Sequence, residues 1–333
     1  MAVAARDGIA SLRAHTRQLL FLFAALAASG EGVFAADVFP SKPIRIIIAV
    51  PHGSGPDILA RQIGGKLTEA WGQQIVIDSR PGATGLVGAE IVSKSAPDGY
   101  TLWFATLTQL IGTTMYQKFV MARDFAPVGM VASTAFGVAA NAALPITTVP
   151  ELIAYAKARP GQLLFASTGQ GSTGHLCMEF FKSLTGAEMT HVPYKGAVPA
   201  NADLMSGQVQ ITCQSVPSLL NFIKSGRIRL LGVTTLKPTV IAPDVPTIAE
   251  TVPGFELLGW YGLLAPKGTP KEIVGKINKA VLQALKTPEV QEKLITLGAE
   301  AAGTTPEEFD RSLQQQTKRW SKVLADAGIK PAP

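Results

Sequence analysis

From Ser41 onward the chain alternates short, continuous apolar runs with longer stretches in which apolar positions recur every three or four residues. The first pattern marks strands buried on both faces, the second amphipathic helices, and their regular alternation marks an α/β architecture. Strands are predicted at IRIIIAV (44–50), QIVIDS (74–79), TLWFA (101–105), LLFAS (163–167), MTHVPY (189–194), VQITC (209–213) and IRLLGVT (228–234). Helices are predicted over 56–70, 86–94, 173–185, 197–205 and 216–225, with Asp98-Gly99 as a turn.

Beyond GWYGLLAP (259–266) the pattern becomes helical, without strands of its own. Thr269-Pro270 and Thr287-Pro288 each read as an N-cap followed by proline at the first helical position, and Gly298 as a C-cap. Thr305-Pro306-Glu307-Glu308 is a capping box before a helix with Phe309, Leu313, Trp320 and Leu324 on one face. A chain so ordered suggests that its last segment returns to the first domain. Residues 36–137 with 258–333 would form domain 1 and 138–257 domain 2, joined by crossings near 132–140 and 256–264 that permit hinge closure.

Residues 1–35 stand apart. Arg6, Arg13 and Arg17 precede the short apolar core QLLFLFAALA, and Val33-Phe34-Ala35 offers small residues before a cleavage point at Ala36. This reads as a secretory signal peptide, too short in its apolar run to span a bilayer, and implies an exported, periplasmic protein. Its removal takes three of the 30 basic and two of the 24 acidic residues, leaving a net charge of about +5. That mild excess suits an anionic small molecule or ordinary solubility, and no basic run interleaved with aromatics points to nucleic acid. Cys177 and Cys213 lack metal spacing; two buried thiols are expected, with a disulfide as the alternative in an oxidising compartment.

Candidate chemistry sits in three glycine-rich turns between a strand and a helix: HGSGPD (52–57), TGQGSTG (168–174) and YKGA (194–197). Such turns free backbone N–H groups at a helix start, where the macrodipole favours anions, and they leave the strand edge at which open α/β sheets bind ligands. A sharp reversal alone would also demand glycine. Asp57, at the third helical position, would cap its own helix and repel an anion. Neither the P-loop spacing nor a full dinucleotide fingerprint is present, so no nucleotide cofactor is expected. Ser172 and His175 could be imagined in a hydrolase, but the G-x-S-x-G elbow is absent, and no pair of ligand-type residues has a metal-binding spacing.

The ordered segments KPIRIIIAVPHGSGPDILAR, SRPGATGLVGAE, APDGYTL, DFAPV, STGQGSTGHL, HVPYKGAVPANADLMSGQV, PDVPTIAE and GWYGLLAPKGTP resemble the successive motifs of the Bug family, periplasmic solute-binding receptors of tripartite tricarboxylate transporters. The resemblance covers the whole exported chain. It implies a type II periplasmic-binding-protein fold, with two α/β lobes joined by two crossing segments and a ligand cleft between them. It also implies a monomeric, non-enzymatic receptor that captures a small carboxylate solute, without cofactor or metal, and delivers it to membrane permease subunits. Carried onto this chain, the family's carboxylate clamp corresponds to His52, Gly53 and Ser54 on one side and Ser167, Gly171, Ser172 and Thr173 on the other. Gly196 and Ala197 would join from the YKG turn, and Thr106 and Thr108 from the loop after TLWFA. Where the family reads P-G-G-G-T-D, this chain has His52, Ser54 and Pro56 as departures; a partly buried, anion-facing His52 would make affinity fall between about pH 6 and 8. An exported hydrolase on a receptor-like fold and a receptor feeding a membrane sensor kinase are the alternatives.

Overall fold

In the computed structural model, which describes residues 39–50 and 52–329, the opening apolar run is a parallel strand covered on both faces. The predicted signal peptide lies outside the described residues. The chain runs β1 (Ile44–Ile48), α1 (Gly55–Trp71), β2 (Ile75–Ser79), α2 (Leu86–Ser93), β3 (Thr101–Thr106), α3 (Leu107–Tyr116), the short α4 (Met121–Asp124) and β4 (Phe125–Asn141). It continues through α5 (Val149–Ala158), β5 (Leu164–Ser167), α6 (Thr173–Thr185), β6 (Thr190–Pro193), α7 (Ala197–Ser206), β7 (Ile211–Ser215), α8 (Val216–Lys224), β8 (Ile228–Val233) and β9 (Leu258–Pro266). Last come α9 (Lys271–Ala284), α10 (Pro288–Thr296), β10 (Ala299–Ala301) and α11 (Pro306–Asp326). Among the described residues no helix is long and apolar enough to cross a membrane.

The strand order β2-β1-β3-β9-β4-β7-β5-β6, with β8 and β10 also pairing β4, is organised by one strand. β4 is 17 residues long and serves two sheets. Its first part, Phe125 to Ala135, pairs β9, while Phe136 to Asn141 pair β7 and β8. The parallel trio β2-β1-β3 thus lies on one side of the change at Ala135/Phe136, and β7-β5-β6 on the other. β9 enters the first sheet at Leu258, opposite Ala135, so both chain passages between the sheets lie side by side. Two sequence expectations are corrected here. The C-terminal third does hold a strand of its own, β10, which pairs β4. The segment after TLWFA is a helix, not a loop: Thr106 is its N-cap and completes a capping box with Gln109, whose side-chain oxygen accepts the Thr106 amide at 3.0 Å.

The N-terminal signals of the last helices act largely as expected. Thr305 and Glu308 form the capping box of α11, whose Phe309, Leu313, Trp320 and Leu324 are all buried. α9, however, starts one residue later than predicted, with Pro270 at the N-cap. Phe180 of α6 meets Trp320 of α11 edge-on at 6.2 Å and stacks on Phe255 at 5.1 Å, so one apolar cluster runs between elements on both sides of the sheet change.

The cysteines are also corrected: they are not free thiols. Cys177 on α6 and Cys213 on β7 form a disulfide, both fully buried. The start of α6 presses so closely on β7 that a Cβ at Gly174 would lie 2.3 Å from the Cys213 carbonyl oxygen, which only glycine accommodates.

Candidate ligand-binding cleft

Where the two sheets meet, two adjoining cavities open at the carboxyl ends of the strands. The first, about 240 Å³, lies among Val50, Pro56, Thr106, Leu107, Phe136 and Tyr261, with Thr84, Gln109 and Thr134 also in its lining. The second, about 230 Å³, lies among Thr168, Ser172, Gly174, Ala197, Gln214 and Ser218. Thr108, Phe136, Thr173 and Ser215 wall both. The hydroxyls of Thr108 and Thr173, from α3 and α6, meet at 2.8 Å where the cavities adjoin.

Helix beginnings supply the polar character. The second cavity takes residues from the N-cap and first turn of α6 (Ser172, Thr173, Gly174), from the first position of α7 (Ala197) and from the N-cap and first turn of α8 (Ser215, Ser218). In α6 the Ser172 hydroxyl caps the His175 amide, and the Leu176 amide bonds the Ser172 carbonyl, so the Thr173 and Gly174 amides have no intrahelical acceptor. Three positive dipole ends converge on one space. Among the described residues that line either cavity there is no Lys, Arg, His, Asp or Glu, and no cluster suited to a metal ion occurs. The arrangement can hold an anion through amides and hydroxyls while excluding competing charge.

The expected site residues fall into two groups. Thr106, Thr108, Ser172, Thr173 and Ala197 line the cavities. His52, Gly53, Ser54, Ser167, Gly171 and Gly196 do not, although each adjoins a helix start or strand end that does. The Gly53 amide donates to the buried Asp57 carboxylate at 3.0 Å. Asp57 in turn takes two hydrogen bonds from Arg61, and those contacts, opposing the effect of its burial, hold its pKa below the usual aspartate value. His52 is not the partly buried, anion-facing group expected: its side chain is 71% exposed, with Nδ1 3.0 Å from the Arg61 guanidinium, so the predicted loss of affinity through its titration loses its basis. Ser167 is fully buried, its hydroxyl donating to the Gly169 carbonyl and lying 2.7 Å from His191 Nε2. The Gly171 amide donates to His175 Nδ1 at 3.0 Å.

That last bond also removes the hydrolase constellation. The His175 imidazole faces the Gly171 amide and stacks on His191 at 3.8 Å instead of engaging the Ser172 hydroxyl, which receives only the His175 backbone N–H. Burial, followed by repulsion from His191 and Lys182, lowers the His175 pKa to about 3, and burial with Lys182 lowers that of His191 to about 4. The pair is a neutral support beneath the 167–174 turn.

Sequence reasoning missed Phe136, Tyr261 and Gln214. Phe136 and Tyr261 come from β4 and β9, whose joint position at the sheet change is a long-range feature; Gln214 follows a recognised strand. For α3 a signal was present in Thr106-Leu107-Thr108-Gln109, the spacing of a capping box.

Known proteins share this fold. Residues 59–329 match the family described as "Tripartite tricarboxylate transporter family receptor". Protein BugT of Bordetella pertussis is 34% identical over 89% of this chain and 92% of its own length. Among solved structures, R. palustris Rpa4515 with adipate is 38% identical, with a TM-score of 0.74 over 88% of this chain and 100% of the other. MatC (Rpa3494) of Rhodopseudomonas palustris with bound malate is 29% identical, with a TM-score of 0.73 over 86% and 100%. The periplasmic binding protein BugD is 29% identical, with a TM-score of 0.70 over 88% of this chain and 99% of the other. The family match over residues 59–329 and the likeness to BugT along most of both chains make this chain a member of the tripartite tricarboxylate transporter receptors, the Bug family.

Proposed function

We propose that the protein is an exported receptor that binds a small carboxylate in the cleft and presents it, without chemical turnover, to the membrane subunits of a tripartite transporter. The observation that carries this reading is the convergence of the α6, α7 and α8 N-termini on the second cavity, with hydroxyls and no charged side chain in its lining. Adipate and malate in two relatives support the ligand class. In this reading residues 36–137 with 258–333 form one lobe and 138–257 the other, hinged where β4 and the segment before β9 change sheets. The Thr108–Thr173 contact belongs to the closed state, which a ligand favours by touching both lobes.

A carboxylate at 100 times its dissociation constant stabilises the fold by about 2.7 kcal/mol, read as a rise in melting temperature. Ala197→Asp is the informative variant. A carboxylate at the first position of α7 favours the helix but puts negative charge into the second cavity, so the fold should hold while carboxylate affinity, measured by calorimetry, drops at least about tenfold. Unchanged affinity in a folded Ala197→Asp protein would contradict the placement.

A further inference from the structure

Tyr261 and Trp260 are consecutive on β9 and turn opposite ways. The Trp260 indole packs edge-on against Phe309 in the core and donates to Gln316 at 2.8 Å. Tyr261 instead faces the first cavity, its ring 6.3 Å from that of Phe104 and its hydroxyl beside the start of α1, where a Cβ at Gly55 would lie 3.8 Å from it. No hydrogen bond reaches that hydroxyl from any described residue, and burial pushes its pKa up to about 12, so it is a neutral donor. Phe136 also lines this cavity, its edge against the backbone of Gly259, where a Cβ would come within 2.7 Å of Phe136 Cε2. Val50, Pro56 and Leu107 add further apolar wall.

The first cavity shares Thr108, Phe136, Thr173 and Ser215 with the second and adds Tyr261. Phe136 and Tyr261 give it an aromatic lining, and the Tyr261 hydroxyl can donate to a guest. The positive end of α1 beside it is already answered by the Asp57 carboxylate, and Arg61 is committed to that carboxylate by two hydrogen bonds. A second carboxylate placed here would meet no cationic side chain in the lining and would lose free energy to repulsion from the first. A flat uncharged ring loses nothing of the kind and gains the aromatic contacts.

We infer that the solute is a singly charged aromatic carboxylate bearing a ring hydroxyl, its carboxylate in the second cavity, its ring between Phe136 and Tyr261, and its hydroxyl hydrogen-bonded to Tyr261. The inference rests on the reading of the second cavity as the carboxylate site and adds the solute class and its selecting residue. Its test is calorimetric titration of the purified protein at pH 7 with benzoate, the three hydroxybenzoates, adipate and malate. At least one hydroxybenzoate should bind about tenfold tighter than benzoate and tighter than either dicarboxylate. In Tyr261→Phe that tenfold advantage over benzoate should shrink to less than about twofold. Tighter binding of adipate or malate than of every aromatic acid would overturn the solute class while leaving the carboxylate receptor intact, and the wild-type ranking decides this even if the variant does not fold. A hydroxyl advantage that survives in Tyr261→Phe would remove Tyr261 as its reader. Failure of all six acids to bind would overturn the carboxylate reading itself, and this inference with it.

Discussion

Replacing Cys177 and Cys213 together by alanine is expected to lower the unfolding free energy by about 4 kcal/mol, because the bridge closes a loop with a sequence separation of 36 in the unfolded chain. Over the roughly 290 described residues this corresponds to a fall in melting temperature of about 6 °C. The loss has a functional side. The bridge ties the first turns of α6 to β7 behind the second cavity, where Gly174 already lies against the Cys213 carbonyl, and it therefore holds the Thr173 and Gly174 amides in place. Carboxylate affinity should weaken along with stability. Calorimetric scans of the wild type and the Cys177→Ala/Cys213→Ala variant check the first effect; equal melting temperatures would mean that the bridge constrains nothing.

Stability is also expected to fall by roughly 2 kcal/mol between pH 7 and pH 5, through His175 and His191, once solvent screening around the pair is allowed for. Both folded pKa values lie below the ordinary histidine value of 6.5, so between about pH 6.5 and pH 4 the unfolded chain binds more protons than the folded one. Stability is then complete above pH 6.5 and declines as the pH drops towards the folded values. The groups around the pair are Lys182, whose charge opposes protonation, and Glu179, whose carboxylate lies 3.9 Å from His175 Nε2 and is held by Lys182 at 2.9 Å. Burial outweighs that carboxylate. Carboxylates with lowered pKa, such as Asp57 and Glu90, titrate below this window and contribute little to it. Urea titrations at pH 7 and pH 5 should show the decline, and His191→Phe, which keeps an aromatic ring next to Phe165, should remove about half of it. A wild type equally stable at both pH values would refute the account of the pair.

Much of this was legible locally. The apolar runs became β1, β3 and β7, and the Thr-Pro-Glu-Glu signature became the start of α11, because burial on both faces and helix capping are short-range requirements. β4 escaped notice since Phe125–Asn141 is rich in alanine and glycine, poor strand formers whose use here is tight packing: a Cβ at Gly137 would lie 2.5 Å from Leu230. Site residues at helix starts, such as Thr106, Thr173 and Ala197, were found because the glycine and hydroxyl pattern marks those positions. His52 misled for a related reason: a turn can be located from its glycines, but the direction of its side chains depends on partners such as Arg61, nine residues on. Tyr261 was hidden because facing the cleft is a property of β9 pairing with both β3 and β4.

The central claim is that amides and hydroxyls at convergent helix starts, and no cationic side chain, hold the acid group. A crystal structure of the protein with its tightest-binding carboxylate is the most direct measurement. The account predicts carboxylate oxygens in the second cavity within hydrogen-bonding distance of the Thr173 or Gly174 amides or the Ser172 hydroxyl. A carboxylate seated outside that cavity, or paired with a lysine or arginine, would contradict it.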